Sequence, residues 1–362
     1  MLDKLFATTV VGSITRPRFF RQQVDAYLER LAAGEDASDE HILTLMERSI
    51  PYVAALQEAA GVDVISDGEW RRKSYLGIVA DMLSGFELHK AVVDDGGIHD
   101  GYVGYTITGK IEPTAEGLFA REAQLLMRHT TKPVRIALPT PYHVARVHWT
   151  EERSADAYPD RHQVAETLVP IIRREVELMV EAGVPFIQFD DTSIGRPFSE
   201  ASESAEFTEE LGYAIDTLNR VVDGIDGVHT SLHLCGKREV GPDRTPGYHA
   251  LAPALSDLQI DMPMFEFKDI DAHDIEVVKG LPERMEIGCG VVTAKRHGVE
   301  APEEVAGHVR KVLEVAAPER VVIHPDCGFS PGVYWNIDID DVYGKLRSQV
   351  AAAQMLREEI GA

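Results

Sequence analysis

Hydrophobic positions along the chain alternate between two spacings. Short apolar runs rich in β-branched residues are each followed by a longer stretch with apolar residues three and four positions apart. The runs are ATTVVGS (7–13), VDVISDGE (62–69), VRIALPTP (134–141), FIQFDDTS (186–193), VHTSLHLC (228–235), QIDMPMFEF (259–267), MEIGCGVV (285–292) and VVIHPDCG (321–328). They predict eight strands. The stretches between predict helices over 39–59, 162–182 and 302–316, with a closing helix over 340–360. Eight βα units in a chain of this length predict an α/β fold, the (β/α)8 TIM barrel, with parallel strands buried on both faces. A doubly wound open sheet competes, but no Gly-rich phosphate loop follows any strand. Residues 82–130 break the alternation. There GYVGYTITGKIE reads as a β-hairpin or paired short strands around glycines, an insertion after the second strand that serves as a lid or a subunit contact. No linker-like run divides the chain, so one domain over 1–362 is the simplest organisation.

Composition removes several function classes. The 362 residues are 44% hydrophobic and 27% charged, ordinary for a soluble globular protein. Lys plus Arg number 36 against 60 Asp plus Glu, a net charge of −24. Such a surface repels phosphate backbones and anionic lipid, so neither nucleic acid nor a membrane is an expected partner. Solubility, or a salty habitat, is the plainer account of the acidity. No run approaches the ~20 apolar residues of a membrane span. The start MLDKLFATTVVGS lacks the basic region of a signal peptide. Three cysteines make no disulfide framework, and the cytoplasm is the expected compartment.

Polar residues collect at one end of the predicted strands. The first run ends in Gly12 and Ser13, the second in Asp67, Gly68 and Glu69, and the fourth in Asp190 and Asp191. The fifth ends in His233 and Cys235, the sixth in Glu266, and the eighth in Asp326, Cys327 and Gly328. Barrel enzymes carry their catalytic groups at the C-terminal strand ends, which makes this an enzyme-like pattern. His233 and Cys235 lie two apart on a strand and face one side. Alone, such a pair is weak evidence for a metal half-site, and core packing is the plainer reading. Cys289, inside an apolar run, reads as a buried small hydrophobe. His233, Cys235, Glu266 and Cys327 come from strands that neighbour one another around a barrel end. Together they offer one nitrogen, two sulfurs and one oxygen, a tetrahedral zinc set in which thiolates disfavour magnesium and calcium.

The elements TTVVGS, SDGEWRR, IQFDD, HLC, FEF, EIGCGVVTAK and HPDCGF, in this order, resemble the catalytic C-terminal barrel of cobalamin-independent methionine synthase. The resemblance runs from Thr8 to the terminal KLRSQVAAAQMLR helix. It implies zinc (Zn2+) held by His233, Cys235, Glu266 and Cys327. It also implies that Ser13, Glu69 and Asp190 hold the amino-acid part of homocysteine, the thiol substrate. Carboxylates suit an ammonium group, and main-chain amides near Ser13 suit a carboxylate. The bland alternative is that Glu69 and Asp190 pair with Arg71, Arg72 or Arg196 and merely order loops.

The sequence also departs from the family pattern. Asp190-Asp191-Thr192 lacks the proline that follows the corresponding acid in the long enzymes, and Lys295 stands where they carry a histidine thought to assist the leaving group. His297 is near enough to substitute. Lys295, Arg71 and Arg72 are candidates to contact an anionic donor or protonate a leaving group; solvated surface charge is the alternative. The methyl donor stays open between methyltetrahydrofolate, methylcobalamin and a corrinoid protein, and the oligomeric state is open as well. Three rival functions remain: a zinc alkyltransferase joining coenzyme M to an epoxide, a metal-free barrel like uroporphyrinogen decarboxylase, and a non-catalytic zinc or thiol binder.

Overall fold

The computed structural model describes residues 4–35, 39–90, 103–195, 205–234, 248–268, 270, 272–330 and 337–361. Two strands, β1 (Phe86–Lys90) and β2 (Val103–Ile107), pair antiparallel with Phe86 opposite Ile107. Six more follow: β3 (Arg135–Pro139), β4 (Phe186–Asp190), β5 (His229–His233), β6 (Met262–Glu266), β7 (Ile287–Val292) and β8 (Val321–Pro325). These six form one sheet in chain order, every neighbour parallel. Nearly every residue in them is buried, as strands covered on both faces require.

The sheet closes through the first two runs. Parallel bridges join Thr8 to Ile323 of β8, Thr9 to Val64, and Ile65 to Val134 beside β3. The ring is therefore the expected (β/α)8 barrel, but runs 7–13 and 62–69 contribute single bridges rather than full strands. Side chains take over the missing ladder. The Asp63 carboxylate accepts from the Thr8 amide (2.9 Å) and hydroxyl (3.0 Å). The buried Gln57 carboxamide accepts from the Ser66 amide (3.0 Å) and donates to the Ser66 carbonyl (2.7 Å). These groups satisfy the backbone that a strand partner would otherwise serve.

The helices largely follow the apolar spacing: Arg161–Glu181, Pro302–Leu313 and Ile339–Ile360 match expectation. The helix expected over 39–59 is two, Glu40–Arg48 and Ile50–Ala60, because Pro51 has no N–H to continue the ladder and starts a new helix instead. In the insertion, the described part of GYVGYTITGKIE supplies β2, whose partner is the upstream FELHK of β1. A helix, Leu118–Met127, completes it. Among the described residues no helix is long and apolar enough to cross a membrane.

Candidate active site at the C-terminal strand ends

The first two strand ends are laced together. The Ile14 amide donates to the Gly68 carbonyl (3.1 Å) and the Trp70 indole to the Ile14 carbonyl (2.7 Å). Gly68 and Glu69 both have positive φ, 66° and 59°, and for glutamate that is a strained backbone. Local bonds hold it. The Asp67 carboxylate accepts from the Glu69 amide (2.9 Å), and half-buried Arg16 donates to the carbonyls of Glu69 (3.3 Å), Trp70 (3.0 Å) and Arg72 (2.9 Å). A Cβ at position 12 would lie 2.8 Å from Glu69 Oε1, so a side chain there would push the Glu69 carboxylate aside.

Arg72 is fully committed within the fold. Its guanidinium donates to Glu122 Oε2 (2.7 Å from Nη2), to Glu69 Oε1 (3.3 Å) and to the Ala137 carbonyl (2.7 Å). Burial alone would lower its pKa; the Glu122 and Glu69 carboxylates reverse this and hold it above the ordinary value. Arg71 beside it is half-buried. Burial raises the Glu69 carboxyl above its usual range, against the pull of Arg72. Asp190, at the end of β4, is 8% exposed and pushed up to about 8 by burial and then by the charge of Glu69, against a hydrogen bond from Gln188.

The eighth strand end folds onto the first. The Phe329 amide donates to the Ser13 carbonyl (2.8 Å) and the Ser330 amide to the Ser13 hydroxyl (3.3 Å). A side chain on Gly328 would collide with that hydroxyl. The buried Cys327 sits at this junction.

Across the mouth, β5 ends in His233 and β6 in Glu266, both 3% exposed. Neither ring nitrogen of His233 has a hydrogen-bond partner among the described residues, and burial holds its pKa well below 6.5, so the ring is neutral. A buried, unpartnered imidazole is costly unless something binds it. Glu266 Oε2 accepts from Lys295 Nζ at 3.0 Å. Tyr248, which the sequence reading missed, links the two strand ends: its hydroxyl donates to the Leu234 carbonyl (3.0 Å) and accepts from the Glu266 amide (3.1 Å). The loop bearing Lys295 is anchored by Asp326, which accepts from the Ala294 amide (2.6 Å), and by Glu300, which accepts from the Thr293 amide (2.8 Å) and from Lys345 (2.8 Å). His297 is not drawn in. Its side chain is 62% exposed and bonds Asp341 at 2.8 Å.

Cys235 and Arg196 lie outside the described residues. Among those described, no three His, Cys, Asp or Glu side chains stand as a group that could hold a metal ion. The donor chemistry of His233, Glu266 and Cys327 nevertheless fits zinc: a neutral imidazole with neither nitrogen hydrogen-bonded among the described residues, a buried carboxylate and a thiol.

A second polar network, of which the sequence singled out only Asp191, lies at the ends of β3 and β4. The fully buried His143 bonds the Tyr75 hydroxyl (2.6 Å) through Nε2 and the Ser193 hydroxyl (2.7 Å) through Nδ1. Asp191 accepts from Thr140 Oγ1 (2.5 Å) and from the amides of Ser193 and Ile194 (2.8 and 3.0 Å). Burial raises Asp191 to about 6 even so.

Fold and site define a (β/α)8-barrel protein that presents carboxylates, an imidazole and a thiol at its C-terminal strand ends. The chain belongs to the cobalamin-independent synthase family, whose catalytic-domain sequence model matches residues 6–355. It is 28% identical over 359 residues to a methionine synthase of Saccharolobus islandicus, covering 98% of this chain and 96% of that one. With a methionine synthase of Sulfurisphaera tokodaii it shares 27% over 361 residues, covering 98% and 94%. In fold it resembles a B12-independent methionine synthase from Shewanella sp. W3-18-1 solved with selenomethionine (TM-score 0.76, 23% identity, 98% and 99% covered). A putative vitamin-B12 independent methionine synthase from Listeria monocytogenes is also similar (TM-score 0.72, 18% identity, 98% and 99% covered).

Proposed function

We propose that this protein is a zinc-dependent thiol S-methyltransferase that converts homocysteine to methionine, with His233, Cys235, Glu266 and Cys327 as the zinc ligands. The observation that carries the proposal is the buried His233 imidazole, without a hydrogen-bond partner among the described residues, at the end of the strand next to the one that ends in Glu266, in a chain of this family. Zinc bound there stabilises a substrate thiol as its thiolate near neutral pH. The chain's own residues then orient the substrate. Glu69 and Asp190 offer carboxyl oxygens to the ammonium group, whose positive charge favours their ionised forms against the effect of burial, and the main chain near Ser13 suits the carboxylate. Lys295 holds the Glu266 carboxylate in place. The engagement of Arg72 with Glu69 and Glu122 favours an amino-acid thiol over a sulfonate thiol, because that cation is already neutralised. The methyl donor is a folate, methylcobalamin or a corrinoid protein.

The test incubates zinc-loaded protein with homocysteine and, in parallel, methyltetrahydrofolate or methylcobalamin, and looks for methionine by mass spectrometry. Methionine that is lost in Cys235→Ala and Cys327→Ala is the expected result. Full activity in Cys327→Ala would overturn the zinc assignment. Methylation of another thiol but not homocysteine would overturn the substrate.

A further inference from the structure

The polar column beneath Asp190 runs along the barrel interior. Arg135 opens β3 and is 1% exposed, yet among the described residues no carboxylate accepts a hydrogen bond from it. Its Nη1 donates to the Val10 carbonyl (3.3 Å), the Met264 sulfur (3.1 Å) and Gln188 Oε1 (2.9 Å). Gln188 is fully buried and stands two residues before Asp190 on β4, hence on the same face of the strand. Its Nε2 donates to Asp190 Oδ1 at 2.7 Å. Two hydrogen bonds thus connect a buried cation near the start of β3 to the carboxylate at the end of β4.

The polarity of this chain follows from donor chemistry. A guanidinium only donates, so the Gln188 atom that meets Arg135 is the carbonyl oxygen. The amide nitrogen therefore faces Asp190, and Oδ1 must accept. Burial and the adjacent Glu69 both disfavour a negative charge on Asp190. The oriented amide and the cation behind it favour one.

We propose that Gln188 is a specificity-determining residue for an amino-acid thiol: its amide passes the influence of buried Arg135 to Asp190, fixing Oδ1 as an acceptor so that Asp190 selects ligands carrying an ammonium group. This rests on the reading of Asp190 as the ammonium site. Leucine or methionine at position 188 would fill the space but carry neither bond.

Calorimetry on zinc-loaded protein tests the proposal with two ligands, homocysteine and 4-mercaptobutanoate, which lacks the amino group. Wild type binds homocysteine the more tightly. Gln188→Leu loses about tenfold in homocysteine affinity, the scale of one hydrogen bond to a charged group, and keeps 4-mercaptobutanoate within about twofold. Gln188→Met repeats the measurement should the leucine variant fail to fold, and Arg135→Met shifts the preference in the same direction. An equal loss for both thiols would reduce Gln188 to a structural residue and overturn the proposal, as would an unchanged preference. A wild type that binds both thiols equally would instead overturn the reading of Asp190, and the proposal with it.

Discussion

His233 and Lys295 show how much a single position is set by what stands next to it. Histidine at the end of β5 is buried with neither ring nitrogen hydrogen-bonded among the described residues, while Lys295 reaches into the same region and takes hold of Glu266. On the zinc assignment proposed above Glu266 is a ligand, and a ligating carboxylate needs such a partner to fix its orientation. Lys295→Met is therefore expected to weaken zinc binding by about 10–100-fold, the usual cost of removing an outer partner of a ligand. Competition with a chromophoric chelator measures it, and an unchanged circular dichroism spectrum separates it from misfolding. Zinc affinity equal to wild type would remove Lys295 from the metal's surroundings. The sequence displayed the polar strand ends but not these partnerships. Arg72 looked available for an anionic ligand because Glu122, which neutralises it, lies fifty positions away. The Gln188 amide was hidden for the opposite reason: inside FIQFDD it reads as one polar residue in an apolar run. Its role needs Arg135, from another strand.

At the level of elements, apolar periodicity identified all eight barrel segments but overstated two of them. The first and second runs have the β-branched composition of strands, and that composition does not reveal whether a ladder or a side chain serves their backbone. Gln57 is the clearest instance. It sits on the helix Ile50–Ala60 and bonds both backbone groups of Ser66, at the turn that leads into Gly68 and the strained Glu69. Gln57→Leu leaves a buried N–H and a buried C=O unpartnered, each costing about 1–3 kcal/mol. Urea denaturation is expected to show a loss of that size, with thiol affinity reduced as well because Glu69 loses its support. A variant as stable as wild type would mean that other groups carry the second segment. The helix break at Ser49 has a different origin. Periodicity continues across it, and only the missing N–H of Pro51 interrupts the helix.

For the whole molecule, the barrel mouth concentrates acids in a chain that already carries a net charge of −24. Asp190, held up to about 8, binds its proton more tightly in the folded state than in the unfolded chain. The stability it contributes is therefore fully present below the ordinary carboxylate range, and is lost as pH rises through about 8. Buried His148 and His324 act on the other side. Burial lowers them to about 4 and about 3, so the unfolded chain binds protons that the folded one refuses, and stability drops as pH falls below 6.5. Between pH 6.5 and 8 the histidines are silent; Glu122, raised by burial to about 7, completes its own loss in the lower part of the window, and above it the Asp190 effect remains. Metal-stripped protein should accordingly lose stability across that window, and Asp190→Asn should flatten the loss and be the more stable protein at its upper end. The gap there is on the order of a few kcal/mol, one pKa unit being about 1.4 kcal/mol. Denaturant midpoints at pH 6.5 and 8 decide it. A parallel decline in both proteins would place the cost of ionisation elsewhere in the acidic mouth, while a less stable Asp190→Asn would mean that the carboxylate contributes more through its Gln188 bond than its burial costs.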